Sequence, residues 1–458
     1  MATAEPNHLV NDAVHLTPVD SPFYDLPDEL ISLIFDFSCN WAQDTLVGKW
    51  VFPVVLLKVC KWWRRIALCT PNLWTSIIIC TNQHTRAQDM RAILVTCEKR
   101  ISLARALPLS LLLADRLPRF TIDTLKEFGV IQMIEDNSQK KYPTLKNGDE
   151  EKLAYDPTID FLKKHGSRWG KIRCTRFGLR AERPDFLLPS SLPSLLEIEV
   201  LDMEESPNQT QPLLCRISAP NLQTMTITGV DRAIMIDWST THPSSLSELN
   251  ISYPVNAIAK SFMVLASFVN LRTLALRDPA SRAYAWYWHL FTTEDGFLSF
   301  SLPNLEKLTI DGISYTFIVE ALTVLSAPKL LALAVCTSPD DTLPSLPKFD
   351  FPSLQSFGYL GIRAEDQDTY FIREVLLSAP SLSCLVLSLS EQAGTPVGEK
   401  LDEASLGSLL TCEDSQLCPT LHHIYVQNYP TGAAIVPGRP SVVVTHGTVD
   451  LNMVLEDV

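Results

Sequence analysis

From residue 191 to residue 428 one short phrase returns nine times, and a chain that repeats itself at this spacing has few folds open to it. The copies are LPSLLEIEV, APNLQTMTI, PSSLSELNI, FVNLRTLAL, LPNLEKLTI, APKLLALAV, FPSLQSFGY, APSLSCLVL and CPTLHHIYV. Their leading residues are Leu195, Leu222, Leu246, Leu271, Leu305, Leu330, Leu354, Leu382 and Leu421, mostly 24 to 28 residues apart, with gaps of 34 and 39 that accommodate inserted loops. Each copy has the form leucine-x-x-apolar-x-apolar, and the closing alternation describes a short strand with one face buried. Seven copies carry proline two residues before the leucine, where a missing N–H suits the entrance of a strand better than its middle. Runs such as FIVEALTVLSAP (317–328) and TYFIREVLLSAP (369–380) space their apolar residues by three and four, which predicts helices between strands.

Strand, turn and helix in repetition predict an α/β chain whose repeats stack into a solenoid around a parallel sheet. LPLSLLL (107–113) and RWGKIRCTRF (168–177) are degenerate earlier copies. The polar, charged EDNSQKKYPTLKNGDEEK (135–152) between them is expected to be an exposed loop. The repeat region is thus set at 81–458, degenerate over 81–190 and clearest over 191–428.

The N-terminal part has a different grammar. Residues 1–21 are polar and patternless and are expected to form a flexible tail. Residues 22–80 predict a small helical domain. Its first helix starts at Pro27, with Asp28 and Glu29 where the helix dipole favours negative charge and Leu30, Ile31, Ile34 and Phe37 following as one apolar stripe. A second helix is expected after Pro53, with Val55, Leu56, Val59, Cys60, Trp63, Ile66 and Ala67 on one side and Lys58, Lys61, Arg64 and Arg65 off it. Pro71 ends it, and Leu73 and Trp74 return to the core. A unit of this length seldom stabilises itself by burial alone, and both helices carry more bulky apolar side chains than mutual packing requires. The surplus predicts a partner surface.

The order Leu26-Pro27, Glu29-Leu30-Ile31, Ile34-Phe35, Val59-Cys60, Trp63 and Leu73-Trp74 resembles the F-box, the motif that docks on a Skp-type adaptor of cullin ubiquitin ligases. The intervening SCNWAQDTLVGKWVF is longer than the connection usual in that motif. By resemblance Leu26, Pro27, Leu30, Ile31, Ile34, Val59, Cys60 and Trp63 share adaptor contact and core packing. The phrases resemble leucine-rich repeats, and an F-box followed by such repeats resembles a large class of fungal F-box proteins. The asparagine that the repeat family places past each strand is missing from all nine copies, so other groups must satisfy the turns.

Composition narrows the function classes. A formal net charge of −14 disfavours nucleic acid and anionic membrane as main partners. The eleven cysteines are odd in number, scattered and set in apolar runs, as in a reducing cytoplasmic or nuclear compartment; no leader-like start and no run of eighteen apolar residues occurs. No H-E-x-x-H, G-x-S-x-G or C-x-x-C is present, and GTPVGEK (394–400) departs from a phosphate loop in spacing and in Leu401. Cys412, Cys418, His422 and His423 fit no common zinc spacing. No cofactor or metal is expected.

In the geometry of the repeat that these phrases resemble, the residues beside the strand apolars form a concave face on which a target protein would rest. The candidates are Lys171, Arg173, Glu197, Glu199, Thr226, Asn250, Lys307 and Tyr425, with a flat waist of Ala332, Ala334, Ser356 and Gly358. Trp286 and Trp288, in the insertion AYAWYWHLFTTEDG (283–296), are either rival binding anchors or a cover for the sheet edge. The resemblance implies a non-catalytic subunit of an SCF-type ubiquitin ligase, bound through the adaptor to a cullin scaffold and holding an unidentified protein substrate. The other readings are a repeat scaffold without ubiquitin transfer and an enzyme with an unfamiliar site. The latter requires a deep pocket of convergent ionisable groups.

Overall fold

The computed structural model describes residues 26–41, 46–80, 87–114, 149–175, 191–201, 213–215, 218–228, 234–236, 244–252, 265–277, 292–293, 296–297, 300–313, 315–337, 348–362, 366–389, 418–427 and 443–446. The tail 1–21, the insertion tryptophans Trp286 and Trp288, GTPVGEK and Cys412 lie outside them.

All nine phrases form strands of one sheet. The first two strands of the chain are β1 (Ser76–Cys80) and β2 (Leu109–Ala114), followed by β3 (Trp169–Thr175), β4 (Glu197–Leu201), β5 (Leu213–Cys215), β6 (Thr224–Thr228) and β7 (Ile234–Ile236). Next come β8 (Glu248–Ser252), β9 (Thr273–Arg277), β10 (Thr292–Thr293), β11 (Gly296–Phe297), β12 (Phe300–Ser301), β13 (Lys307–Ile313) and β14 (Leu325–Ser326). The last are β15 (Ala332–Thr337), β16 (Ser356–Ile362), β17 (Cys384–Leu389), β18 (His423–Gln427) and β19 (Val443–His446). Thirteen of these make the main sheet in the order β1-β2-β3-β4-β6-β8-β9-β13-β15-β16-β17-β18-β19, which is chain order. Every neighbouring pair is parallel. The short pairs β5–β7, β10–β11 and β12–β14 lie off this sheet.

The register follows from the phrase. Thr224, Met225, Thr226, Ile227 and Thr228 face Glu248, Leu249, Asn250, Ile251 and Ser252 one for one, so Met225 stacks on Leu249 and Ile227 on Ile251, all buried. Before eight of the nine phrase strands the described leucine closes a four-residue turn. The N–H of Leu195 bonds the carbonyl of Leu192 (3.1 Å), that of Leu330 bonds Ala327 (3.0 Å), and Leu382 bonds Ala379 (3.2 Å). The recurrent proline occupies the second place of this turn, where its fixed φ fits and no N–H is wanted.

A polar ladder joins the turns. The residue just before the leucine reaches back to the preceding copy: Asn221 Nδ2 donates to the Pro193 carbonyl (2.7 Å), Ser245 Oγ to Pro220 (2.8 Å), Asn304 Nδ2 to Val269 (3.0 Å), Ser353 Oγ to Pro328 (2.8 Å), Ser381 Oγ to Pro352 (3.0 Å) and Thr420 Oγ1 to Pro380 (3.2 Å). Asn270 makes the same bond to Ser244. Where the position is Lys329, its ammonium donates instead to Asn304 Oδ1 (2.8 Å). These donors stand at the strand entrances, so the missing asparagine past the exits leaves the array with a ladder of its own.

Helices cover the face that carries the leucines. Helix α4 (Ala87–Leu103) packs on β1 and on α5 (Asp149–Lys164), and α6 (Tyr315–Val324) and α7 (Asp366–Ser378) follow, as the spacing predicts. Residues 149–152, expected to be loop, form the first turn of α5. Phe371 of α7 is fully buried among the rings of Tyr315 (5.4 Å), Phe349 (5.6 Å) and Tyr359 (5.6 Å). Trp169 stands where later copies have leucine; its indole donates to Leu162 O in α5 (3.0 Å). No described helix is long and apolar enough to cross a membrane.

The N-terminal domain differs in detail from the sequence expectation. It holds three α-helices, α1 (Asp28–Trp41), α2 (Leu46–Val59) and α3 (Lys61–Cys69), then a 3-10 turn over Pro71–Trp74. The expected long connection is therefore mostly helix. Pro53, expected to open the second helix, lies inside α2, where burial of Val51 and Leu56 offsets the hydrogen bond it cannot donate. The expected single helix through Ala67 is broken at Cys60, which is extended (φ −157, ψ 170) and caps α3 by accepting the Trp63 N–H on Sγ (3.4 Å). The sheet also begins within 22–80, because β1 pairs with β2. One continuous core runs from Ile31 and Phe35 through Trp74 and Ile77 to Ile424.

The joint between helices and sheet is a buried cation. Arg100 of α4 is 4% exposed, its guanidinium 5.2 Å from the Trp50 ring centre and 5.1 Å from that of Trp74. Burial pushes its pKa down to about 10, which leaves it charged at neutral pH. Nε and Nη2 have no hydrogen-bond partner, so ring stacking is the main compensation for desolvation. Arg100→Lys, which loses the planar stack, is expected to lower the melting temperature more than Arg100→Met, which removes the charge but keeps apolar volume. In the array, Phe371→Ala should cost about 3–5 kcal/mol and Ser381→Ala, one rung of the ladder, about 1 kcal/mol, read as shifts of the denaturant midpoint.

Candidate functional site

Helix α1 turns by about 100° per residue, which sorts its side chains onto three sides. Asp28, Ser32 and Asp36 share the side toward α3 and the 3-10 turn. The Asp28 carboxylate accepts from Trp62 Nε1 and from Arg65 Nη2 (both 2.9 Å), the Ser32 hydroxyl accepts from Thr70 Oγ1 (3.1 Å), and Asp36 accepts from Asn72 Nδ2 (3.3 Å). Ile31, Phe35 and Cys39 point inward and are buried, with Phe35 against the Trp63 ring at 4.9 Å. Leu30, Leu33, Ile34 and Phe37 occupy the side opposite the core.

Those four are 45%, 62%, 41% and 67% exposed, and with Leu26 they line an open hollow of about 350 Å³. The helix is anchored by its polar and inner sides, and Leu30, Leu33 and Ile34 stand outside both. Completing the burial of four half-covered side chains is worth on the order of 4 kcal/mol in gross terms.

The structure distributes the eight candidate docking residues as follows. Leu30, Ile34 and Val59 (54% exposed) are presented outward, and half-buried Leu26 lines the hollow. The Pro27 carbonyl accepts the N–H groups of Leu30 (3.0 Å) and Ile31 (3.2 Å) and so starts the helix. Ile31 is core. Cys60 caps α3, and Trp63 is half-buried on Phe35. The single stripe expected from the spacing is therefore two opposite apolar sides. Leu33 was missing from the expected set; the signal for it is that Ile31, Phe35 and Cys39 already complete an inner stripe, leaving every other bulky apolar residue in surplus.

The second candidate surface is the sheet face opposite the leucines. In register across β3 and β4, Lys171 pairs with Glu197, and Arg173 Nε lies 3.2 Å from Glu199 Oε2. These four charges thus satisfy one another at the surface, where such pairs contribute little stability. Thr226, Asn250 and Lys307 are half-buried. Tyr425, also half-buried, packs on Ala334, Cys384 and Val386. The waist, expected to be flat, is buried: Ala332, Ala334 and Ser356 are 0% exposed.

Ionisable groups do not converge in a pocket among the described residues. Burial raises the Cys97 thiol to about 12 and the Cys336 thiol to about 11, with Asp311 adding to the latter, so neither is a ready nucleophile. Burial draws the Glu98 carboxyl upward, but the hydrogen bonds from Lys164 (2.6 Å) and His165 (3.1 Å) outweigh it and hold it below its usual range. Cys418 is buried with Sγ 3.2 Å from Leu376 O, whereas His422 and His423 are exposed. No group of three or more His, Cys, Asp or Glu among the described residues could hold a metal ion.

No protein-family model matches the chain, and comparison with curated proteins finds no match. If the outer stripe of α1 is a surface rather than core, Leu33→Ser with Phe37→Ser should change unfolding free energy by no more than about 0.5 kcal/mol per site, whereas Phe35→Ala should cost about 3–5 kcal/mol. Chemical denaturation of the three proteins checks this.

Proposed function

We propose that the chain is the substrate-recognition subunit of an SCF-type ubiquitin ligase. In this reading the three N-terminal helices are an F-box that docks a Skp-type adaptor, and the adaptor ties the chain to a cullin. The repeats form a curved, leucine-rich-repeat-like solenoid whose free sheet face and loops hold a target protein. The observation that carries the reading is the outer side of α1: Leu30, Leu33, Ile34 and Phe37 exposed opposite the core, on a helix already anchored by its other two sides. The order of F-box-like residues supports it, and so does the attachment of the helices to the first strand, which holds adaptor and target at a fixed separation.

The work is positional. Target lysines are kept near a ubiquitin-charged enzyme elsewhere in the complex, and raised effective concentration accelerates transfer. The chain then contributes no nucleophile, metal or cofactor.

Co-purification with a purified Skp-type adaptor tests the docking half. Wild type is expected to retain the adaptor, and Leu33→Ser with Phe37→Ser to weaken binding by about 100-fold, equivalent to about 2.8 kcal/mol. Equal retention by both proteins, or none by wild type, overturns the assignment. Reconstitution with cullin and a charged ubiquitin-conjugating enzyme then separates a receptor from a scaffold, since only the former promotes transfer to a bound protein.

A further inference from the structure

Arg100 carries its charge where three elements meet: its own helix α4, Trp50 of α2 and Trp74 of the 3-10 turn. Ring faces attract the cation, but they offer no lone pair to the N–H groups that lie in the plane of the guanidinium. Arg100 Nε and Nη2 are buried with no hydrogen-bond partner, and so is Nε1 of the Trp50 indole. The buried indoles of Trp74 and Trp169, by contrast, each find an oxygen, Ala67 O at 2.8 Å and Leu162 O at 3.0 Å. Three orphaned donor nitrogens therefore fall on two neighbouring side chains, with the guanidinium carbon 5.2 Å from the Trp50 ring centre.

Among the described residues no side chain supplies the missing acceptor or counter-charge. The titratable groups that act on Arg100 are the thiols of Cys97 and Cys39, both buried. Burial pushes the Cys97 thiol up to about 12, which keeps it neutral, and its Sγ donates to Ile78 O (3.7 Å). Glu98, two residues before Arg100 on α4, is committed to Lys164 and His165. The last turn of α4, where Arg100 stands, adds only the partial negative charge of a helix end. A buried charge with neither counter-charge nor acceptor is strongly destabilising, and a buried polar group that has no protein partner calls for solvent or an ion.

We propose that Arg100 Nε and Nη2, together with Trp50 Nε1, bind a small monovalent anion of the chloride class at the joint between the helices and the sheet. An anion is favoured over water by counting. A water molecule brings two lone pairs and no net charge, so it leaves one of the three nitrogens orphaned and the guanidinium uncompensated. A halide accepts from every direction and cancels the charge. A monatomic ion also suits a site walled by close-packed side chains, since Trp50 packs on Ile78, Leu112 and Ala114. The ion ties α2 to α4, and α4 packs on β1, so it helps to hold the helical domain on the sheet whatever that domain docks.

Thermal unfolding of the full chain, with sodium chloride replacing sodium gluconate at a constant ionic strength of about 0.3 M, tests the site. The melting temperature of wild type is expected to rise saturably with chloride, by about 1–3 °C. Trp50→Phe keeps a ring beside the guanidinium and removes one donor, so it should need about tenfold more chloride for half of the rise. Arg100→Met removes the charge and should lose the response; if that variant fails to fold, Trp50→Phe decides by itself. Crystals grown in sodium bromide should show anomalous scattering from bromide beside Arg100 Nε and Nη2. A melting temperature indifferent to the anion, or a chloride response of the same size and midpoint in wild type and Trp50→Phe, overturns the site. So does a water at these nitrogens in the bromide crystals. A bromide peak without a saturable effect of chloride is an adventitious ion only and overturns it as well.

Discussion

Strands in this chain enter the sheet at matching heights, because buried leucines, isoleucines and valines of adjacent copies stack only in one-to-one register. The turn closed by the leucine N–H, with proline in its second place, sets that height. The ladder of Ser, Thr and Asn side chains to the carbonyls of the preceding copy fixes it from one unit to the next. Parallel strands slipped by one residue would turn every apolar side chain to the wrong face, so this small polar device governs a core that reaches from the N-terminal helices to β18.

The same core explains why the helical domain is held firmly while keeping an apolar side outward. Its inner residues merge with those of the first strands, and the Trp50–Arg100–Trp74 stack closes the joint. A helix so anchored still leaves Leu30, Leu33, Ile34 and Phe37 largely exposed.

Much of the fold was legible. All nine phrases became strands, and the runs at 317–328 and 369–380 became helices, because period-2 and period-3.6 patterns report local burial directly. What escaped was decided by distant contacts. β1 and β19 lie outside the repeated phrase and are strands through pairing with β2 and β18. The break at Cys60 leaves the apolar periodicity undisturbed and shows only in backbone direction. At the candidate site, Lys171, Arg173, Glu197 and Glu199 were expected to hold a target; Lys171 with Glu197 and Arg173 with Glu199 lie 26 residues apart along the chain and side by side across the sheet, where they pair. The burial of the waist at Ala332, Ala334 and Ser356 escaped as well, since small side chains reveal nothing about what covers them.

By itself the sequence determined the periodic architecture, the strand entrances and the presence of surplus apolar residues near the N-terminus, because these depend on spacing along the chain and on what each side chain loses in water. Only the tertiary structure decided which apolar residues of α1 face in and which face out, since Ile31 and Leu30 are alike in hydrophobicity and differ only in the surface each meets. It also decided that the helices join the sheet through a buried arginine and that the polar face is partly closed. These depend on elements brought together from far apart in the chain, and a residue's neighbours across space are not written in its neighbours along the sequence.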